Sequence, residues 1–232
     1  MITTEETPQP IKHIPFVLSN PPEEILVAHQ VMQNVLAVNN LVPESPLTIK
    51  LDYYLDKDPM ICGMYFEGAD PWSIHISPAS CMTRNNYTFG DDELSYHGYP
   101  VDMSMFGVAI HEFAHLLAYN FFPDILKEFK HEFPKKRLYL TRYTESDPNE
   151  ELTELTRLYI QNPLFLKMID IQSYKFLKSK FKSPTPCSHK QAYKFYIEFP
   201  KEIRERLSSE WGIDYNVETE KFVNNLNSKE FQ

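Results

Sequence analysis

The chain has 232 residues, of which 42% are hydrophobic, 14% aromatic and 24% charged, a composition that argues against wholesale disorder. Its formal net charge of −9 disfavours a general nucleic-acid binder, because such a protein needs a positive surface to displace counterions. The sequence has neither a long apolar run nor the apolar core of a secretory signal, so we expect no membrane partner and a cytoplasmic or particle-associated protein.

An arm and a helix come first in the chain. Residues 1–22 contain five prolines and little periodicity, which predicts an extended arm. In residues 23–39 apolar side chains recur at helical spacing and predict an amphipathic helix. The positions of this stripe are Ile25, Ala28, Met32, Val35 and Leu36. Because no internal repeat and no second composition follows, residues 23–232 are interpreted as one domain.

Three β segments and a long loop follow the first helix. Residues 47–55, 61–66 and 72–76 are rich in β-branched and aromatic residues, with alternating polarity. A turn containing Gly, Asp and Pro separates the second segment from the third, so these two are predicted to form a hairpin. Residues 78–100 are predicted to be a long polar loop, and loops of that length commonly cover or form a site.

Helices are predicted for several segments of the remaining chain, but residues 121–147 are mixed aromatic and basic and no element is predicted there. Residues 101–120 form the clearest one, because their apolar residues make a stripe at spacings of three and four. The stripe consists of Phe106, Ile110, Phe113 and Leu117. Another helix is predicted from Pro148 through Ile160. This order of elements predicts an α+β fold with an N-terminal helix, a small sheet and C-terminal helices.

An HExxH motif, His111-Glu112-Phe113-Ala114-His115, lies in the predicted helix 101–120. Positions i and i+4 share one helix face, so His111 and His115 can both bind one Zn²⁺ ion. Glu112 directly follows the first histidine and projects beside the ion, where the general base for a metal-activated water belongs. The motif therefore predicts a zinc centre with Glu112 as its base.

The third zinc ligand is expected 35 residues after His115, at Glu150. Glu150 and Glu154 are i and i+4 on one predicted helix, so one can bind the metal while the other accepts a hydrogen bond from a ligand histidine. Two alternatives stay open. Glu150 can instead close a capping box behind Asp147 at the start of the helix, and Glu151 can be the ligand in its place.

The motifs together resemble a known family. HEFAH (111–115), a tyrosine at Tyr143 and the segment NEELTELTRLY (149–159) are similar to motifs of the gluzincin zinc metalloproteases. Within that family the chain resembles the catalytic domain of anthrax lethal factor and its small bacterial and phage-encoded relatives. The hairpin at 63–78 and the segment SYKFLKSKF (173–181) add to the likeness, whereas Thr153 replaces a residue that is usually a small alanine.

The resemblance implies a zincin-like domain, a Zn²⁺ cofactor and a role for Tyr143. Its hydroxyl would donate a hydrogen bond to the oxyanion or protonate the leaving amine, and His75 and His131 are the rival donors. The peptide or protein substrate would bind extended along an edge strand near Trp72–Ile76. The predicted function is thus a zinc-dependent endopeptidase, and the alternative is a non-enzymatic assembly or particle component that retains the fold and the zinc.

Overall fold

The computed structural model describes residues 22–52, 61–68, 70–77, 95–96, 99–100, 105–134, 144, 147–161, 163, 166–167 and 170–184. This part of the chain is α+β, as predicted. The helices are α1 (Glu23–Val38), α2 (Met105–Asn120), α3 (Ile125–Glu132), α4 (Pro148–Gln161) and α5 (Ile171–Lys180). The strands are β1 (Thr48–Leu51), β2 (Gly63–Tyr65), β3 (Ser73–Ile76), β4 (Ser95–Tyr96) and β5 (Tyr99–Pro100). Of the arm predicted over 1–22, only Pro22 is described.

Helix α1 confirms the predicted amphipathic stripe. Its first turn contains Glu23 and Glu24, whose charges favour the positive end of the helix dipole. The side chains predicted to face the core are all buried, and they are Ile25, Ala28, Met32, Val35 and Leu36. Helix α1 packs this face against α2, so the first helix supports the element that carries the HExxH motif.

The three-stranded sheet has the order β1-β3-β2. Strands β2 and β3 are antiparallel, which confirms the predicted hairpin, whereas β1 and β3 are parallel. The prediction that Trp72–Ile76 is an edge strand is therefore wrong, because β3 is central and both of its edges are hydrogen-bonded. The parallel pairing with β1 occupies the edge that a hairpin alone would leave open.

The free edge next to α2 belongs to β2. The Ser77 N–H donates to the Cys62 carbonyl, so the alternation of an antiparallel ladder turns the backbone groups of Gly63 and Tyr65 away from β3. No other strand in the described part of the chain pairs with this outer side of β2. The strand thus presents, at the border of the sheet, backbone groups that no other described strand pairs with.

One face of the sheet is covered by α2. Gly63 is paired with Ile76, and a Cβ atom added at Gly63 would lie 2.5 Å from Val108 Cγ1 and 2.9 Å from Glu112 Cγ. Cross-strand partners share a face, so Ile76 points toward α2, as does Ile74 two residues earlier. His75 lies between them and points to the opposite face.

Helix α2 crosses the centre of the molecule and contacts α1, α4, β2 and β3. Ile110, Phe113 and Leu117 are buried as predicted, and Phe106 is partly buried against the same core. Residues 101–104, which were predicted to begin this helix, lie outside the described residues. None of the described helices combines the length and the apolar character needed to cross a membrane.

Three described elements, one helix and two short strands, were not predicted from the sequence. Helix α3 was not predicted, because only Ile125 and Phe129 are buried on its eight residues and two positions make no clear period. Strands β4 and β5 pair antiparallel inside the segment predicted to be a loop. Each has two residues, which is too short for an alternating pattern to be visible.

Candidate metal centre

The two histidines of the HExxH motif lie side by side on α2. The centroids of the His111 and His115 rings are 5.0 Å apart, and both side chains are largely buried. The Nε2 atoms of both rings face the same partner, Glu150 of α4, at 3.2 Å from His111 and 3.5 Å from His115. The helical spacing therefore places both imidazoles as the sequence predicted.

Glu150 reaches the histidines from the first turn of α4. The Asn149 N–H donates to Asp147 Oδ1 at 2.8 Å, so Asp147 caps the helix while Glu150 is directed to the histidines. Capping and metal binding were alternative predictions for Glu150, and in the structure Asp147 caps the helix whereas the Glu150 side chain faces His111 and His115. Glu151, the competing ligand, is buried and does not belong to the His111–His115–Glu150 cluster.

The three ligand atoms fit a tetrahedral metal ion. They all lie within 4.8 Å of one another. Ligand atoms about 2.0–2.1 Å from a tetrahedral zinc are separated by about 3.3 Å, and the two Glu150 oxygens lie 3.2 Å from His111 Nε2 and 3.5 Å from His115 Nε2, one oxygen facing each ring. Glu150 Oε2 is buried and lies 3.2 Å from His111 Nε2, a contact that a cation shared by the two atoms would replace. Two imidazoles and one carboxylate form a donor set that suits Zn²⁺.

The Nδ1 atoms of the two histidines face a second pair of residues on α4. His111 Nδ1 lies 2.5 Å from Glu154 Oε1, which is the role predicted for Glu154. His115 Nδ1 lies 3.1 Å from the Thr153 hydroxyl oxygen. From the sequence, Thr153 stood out only as a replacement for alanine, so this contact was not predicted. Residues 150, 153 and 154 share a helix face, and this spacing was the signal that could have revealed it.

Arg157 lies behind Glu154 and is 2% exposed. Its guanidinium donates to both Glu154 oxygens, at 2.6 Å from Nη2 to Oε2 and at 3.2 Å from Nε to each, and also to Gln161. Burial opposes ionisation of Glu154, but the Arg157 charge and the His111 hydrogen bond lower its pKa to about 2. Glu154 is therefore a carboxylate at neutral pH and can hold the His111 N–H.

In the metal-free site, the neighbouring carboxylates favour a protonated His111 at the position where a cation would bind. Burial alone would lower the pKa of His111, but hydrogen bonds to Glu150 and Glu154 raise it to about 10. Burial likewise opposes the charge on Glu150, yet hydrogen bonds to both histidines hold its pKa well below the usual range. The cluster thus keeps its carboxylates ionised and attracts positive charge.

Glu112 occupies the gap between α2 and β2. Its side chain is 7% exposed and packs against Gly63, where an added Cβ would lie 2.9 Å from Oε1. Burial raises the pKa of Glu112, and the His111 and His115 charges and a backbone hydrogen bond from Tyr65 oppose this. Glu112 does not belong to the His111–His115–Glu150 cluster, and its place beside a metal stays a prediction.

The sequence predicted three candidate hydrogen-bond donors to the reacting groups, and these were Tyr143, His75 and His131. Tyr143 lies outside the described residues. His75 is directed away from α2, and its Nδ1 is 2.9 Å from Asp52 Oδ2. The expectation that His75 could face the cleft is wrong, because α2 covers the other face of the sheet. His131 is exposed on α3 and lines a surface groove with Lys175 and Phe176, apart from the histidine cluster.

An aromatic pair that was not predicted from the sequence lies at the border of the site. The rings of Tyr65 on β2 and Tyr119 on α2 stack with centroids 5.7 Å apart. Asn120 Nδ2 donates to the Tyr65 hydroxyl at 3.1 Å, and the Asn149 side chain hydrogen-bonds Tyr119. Tyr119 follows His115 by four residues on the same helix face, which was a usable signal. The pair connects the free edge of β2 to the start of α4.

No protein-family model, curated protein or solved structure matches the chain.

Proposed function

We propose that the protein is a zinc-dependent endopeptidase of the gluzincin type. The observation that carries the proposal is the convergence of His111, His115 and Glu150 from two helices, with their ligand atoms at the spacing of a tetrahedral ion. Zn²⁺ bound there would polarise a scissile carbonyl and lower the pKa of a water molecule. Three protein ligands leave one position open, as in catalytic rather than structural zinc sites.

Glu112 is the proposed general base. Its carboxylate accepts the proton of the attacking water and passes it to the leaving amine as the peptide bond breaks. Burial raises the pKa of Glu112 toward the range in which a carboxyl group can both take and release a proton. A structural zinc site has no use for such a base, so the position of Glu112 favours an enzyme over a non-enzymatic component.

The free edge of β2 is the proposed binding line for the substrate. An extended peptide can pair with an exposed strand edge through backbone hydrogen bonds. Gly63 and the Tyr65 carbonyl turn outward from this edge, and the Tyr65 backbone also hydrogen-bonds Glu112. A peptide lying along β2 would therefore pass the proposed base, with the Tyr65–Tyr119 pair at one end.

The first experiment tests the metal site by metal analysis of the purified protein. We expect about one zinc per chain, the capacity of one three-ligand site. Glu150→Gln should lose most of the metal, because an amide is a weaker zinc ligand than a carboxylate. Glu151→Gln is the matched control on the next residue and should keep it. Zinc loss in the Glu151 variant alone would show that the ligand was assigned to the wrong glutamate.

The second experiment separates metal binding from hydrolysis. Glu112→Gln keeps the shape of the side chain but removes the base, so zinc content should stay unchanged. Cleavage of a broad peptide library should fall by at least the roughly 10²–10⁴-fold that general acid–base catalysis contributes. Full activity in this variant would exclude Glu112 as the base. A zinc-loaded wild-type protein that cleaves no peptide would support the non-enzymatic alternative.

A further inference from the structure

We propose that Thr153 is the positioning residue of His115, an inference that rests on the proposed zinc site. The Thr153 side chain is 1% exposed, and its hydroxyl oxygen lies 3.1 Å from His115 Nδ1. Threonine is a weak helix former, and a buried hydroxyl group needs a hydrogen-bond partner. The contact with His115 supplies this partner for the Thr153 hydroxyl in the middle of α4.

The direction of the hydrogen bond follows from the chemistry of the imidazole. A neutral ring carries one proton, and a metal can bind only the nitrogen that lacks it. If Nδ1–H donates to Thr153 Oγ1, then Nε2 keeps its lone pair on the side where Glu150 Oε1 lies 3.5 Å away. A threonine in a helix can place its own proton on the carbonyl four residues earlier, which leaves the hydroxyl oxygen free to accept. Thr153 therefore favours the tautomer of His115 that binds metal.

The two ligand histidines are held by chemically different partners. His111 is held by the carboxylate of Glu154, whose charge is balanced by the buried Arg157. His115 is held by a neutral hydroxyl group. A carboxylate makes the stronger, charge-assisted hydrogen bond and increases the basicity of its histidine. We therefore expect removal of the Glu154 charge to weaken zinc binding more than removal of the Thr153 hydroxyl.

The test compares Thr153→Val with Thr153→Ser by competition with a chelator for zinc. Valine keeps the branched shape but has no hydroxyl, so zinc affinity should fall by about 10–100-fold, the usual effect of removing a partner of a ligand histidine. Serine keeps the hydroxyl and should restore affinity close to that of the wild type. Wild-type affinity in the valine variant, or an equal loss in the serine variant, would overturn the inference.

A second measurement does not depend on zinc. Nitrogen NMR of the metal-free Glu150→Ala variant, which lacks the carboxylate beside Nε2, reports which ring nitrogen of His115 carries the proton. We expect an Nδ1–H tautomer in this variant and when Thr153→Ser is added to it, and its loss when Thr153→Val is added. A predominant Nε2–H tautomer in the Glu150→Ala variant would refute the role of Thr153. If the wild type bound no zinc, the proposed function would fail, and the tautomer would still decide this inference.

Discussion

The carboxylate of Glu112 is packed against the backbone of a neighbouring strand and is only 7% exposed. The motif places the residue next to His111 but does not say what surrounds it. In the structure two features fix its position. Gly63 has no side chain and so leaves room for the carboxylate, and the backbone of Tyr65 hydrogen-bonds it. A general base held in this way loses little entropy when it reaches the water molecule that it is proposed to deprotonate.

At the residue scale, the role of Tyr143 as a hydrogen-bond donor stays a prediction from the sequence. Tyr143→Phe deletes only a hydroxyl, so metal content and thermal stability should not change. If the hydroxyl donates to the developing oxyanion, steady-state kinetics should show a lower kcat with KM nearly unchanged. Losing one such donor costs about 2.7–4 kcal/mol. An unchanged kcat would exclude the role, and His75 would not replace Tyr143, because it faces the other side of the sheet.

At the scale of elements, the close approach of β2 and α2 depends on Gly63. Gly63→Ala would place a methyl group 2.5 Å from Val108 Cγ1 and 2.9 Å from Glu112 Oε1, so both of these side chains must move. We expect about 1–3 kcal/mol of destabilisation from overpacking. Because Glu112 is displaced, we also expect a fall in kcat/KM at unchanged zinc content, measured at a temperature where the variant is folded.

Gly68 provides the control for this substitution. It lies in the turn between β2 and β3 with φ of +81°, and nothing lies within 4 Å of an added Cβ. Gly68→Ala should destabilise the fold by about 1–2 kcal/mol through backbone strain alone and should leave specific activity unchanged. Equal losses of activity in both variants would show that Gly63 affects the site only through stability.

The sequence predicts the parts of the site that lie within one helix, but it does not predict the contacts between different elements. His111 and His115 follow from one helical period, and Glu150 and Glu154 follow from another, so their pairwise placement is local information. Thr153 shares the face of Glu150, but only the packing of α4 on α2 shows that its hydroxyl reaches His115. The central position of β3 could not be predicted either, because its pairing with β1 is a contact between segments distant in the chain.

At the scale of the whole molecule, the charges of the site make the stability of the metal-free protein depend on pH. The pKa of Glu154 is lowered from 4.5 to about 2, so its stabilisation is present above pH 4.5 and is lost as the pH falls toward 2. The pKa of His111 is raised from 6.5 to about 10, so its stabilisation is complete below pH 6.5 and is lost as the pH rises toward 10.

Thermal unfolding in the presence of a chelator should therefore show a maximum between about pH 4.5 and 6.5. Glu154→Gln removes one partner of His111, so the acid decrease should become smaller, and the alkaline decrease should also become smaller and end at a lower pH. Saturating zinc should abolish the alkaline decrease, because the ion takes the place of the proton. A metal-free wild type with its maximum above pH 8 would contradict this picture.

The meeting of α2 and α4 has a mechanical consequence. An ion held by His111, His115 and Glu150 would close a loop that runs from one helix to the other through α3. Such a closure acts as a reversible cross-link, which limits the conformations of the unfolded chain much as a disulfide does. With the ion bound, a pulling force could separate the two helices only by breaking the metal bond to Glu150 on α4 or both metal bonds to the histidines on α2. The three proposed metal ligands would thus also stabilise the packing of α4 against α2.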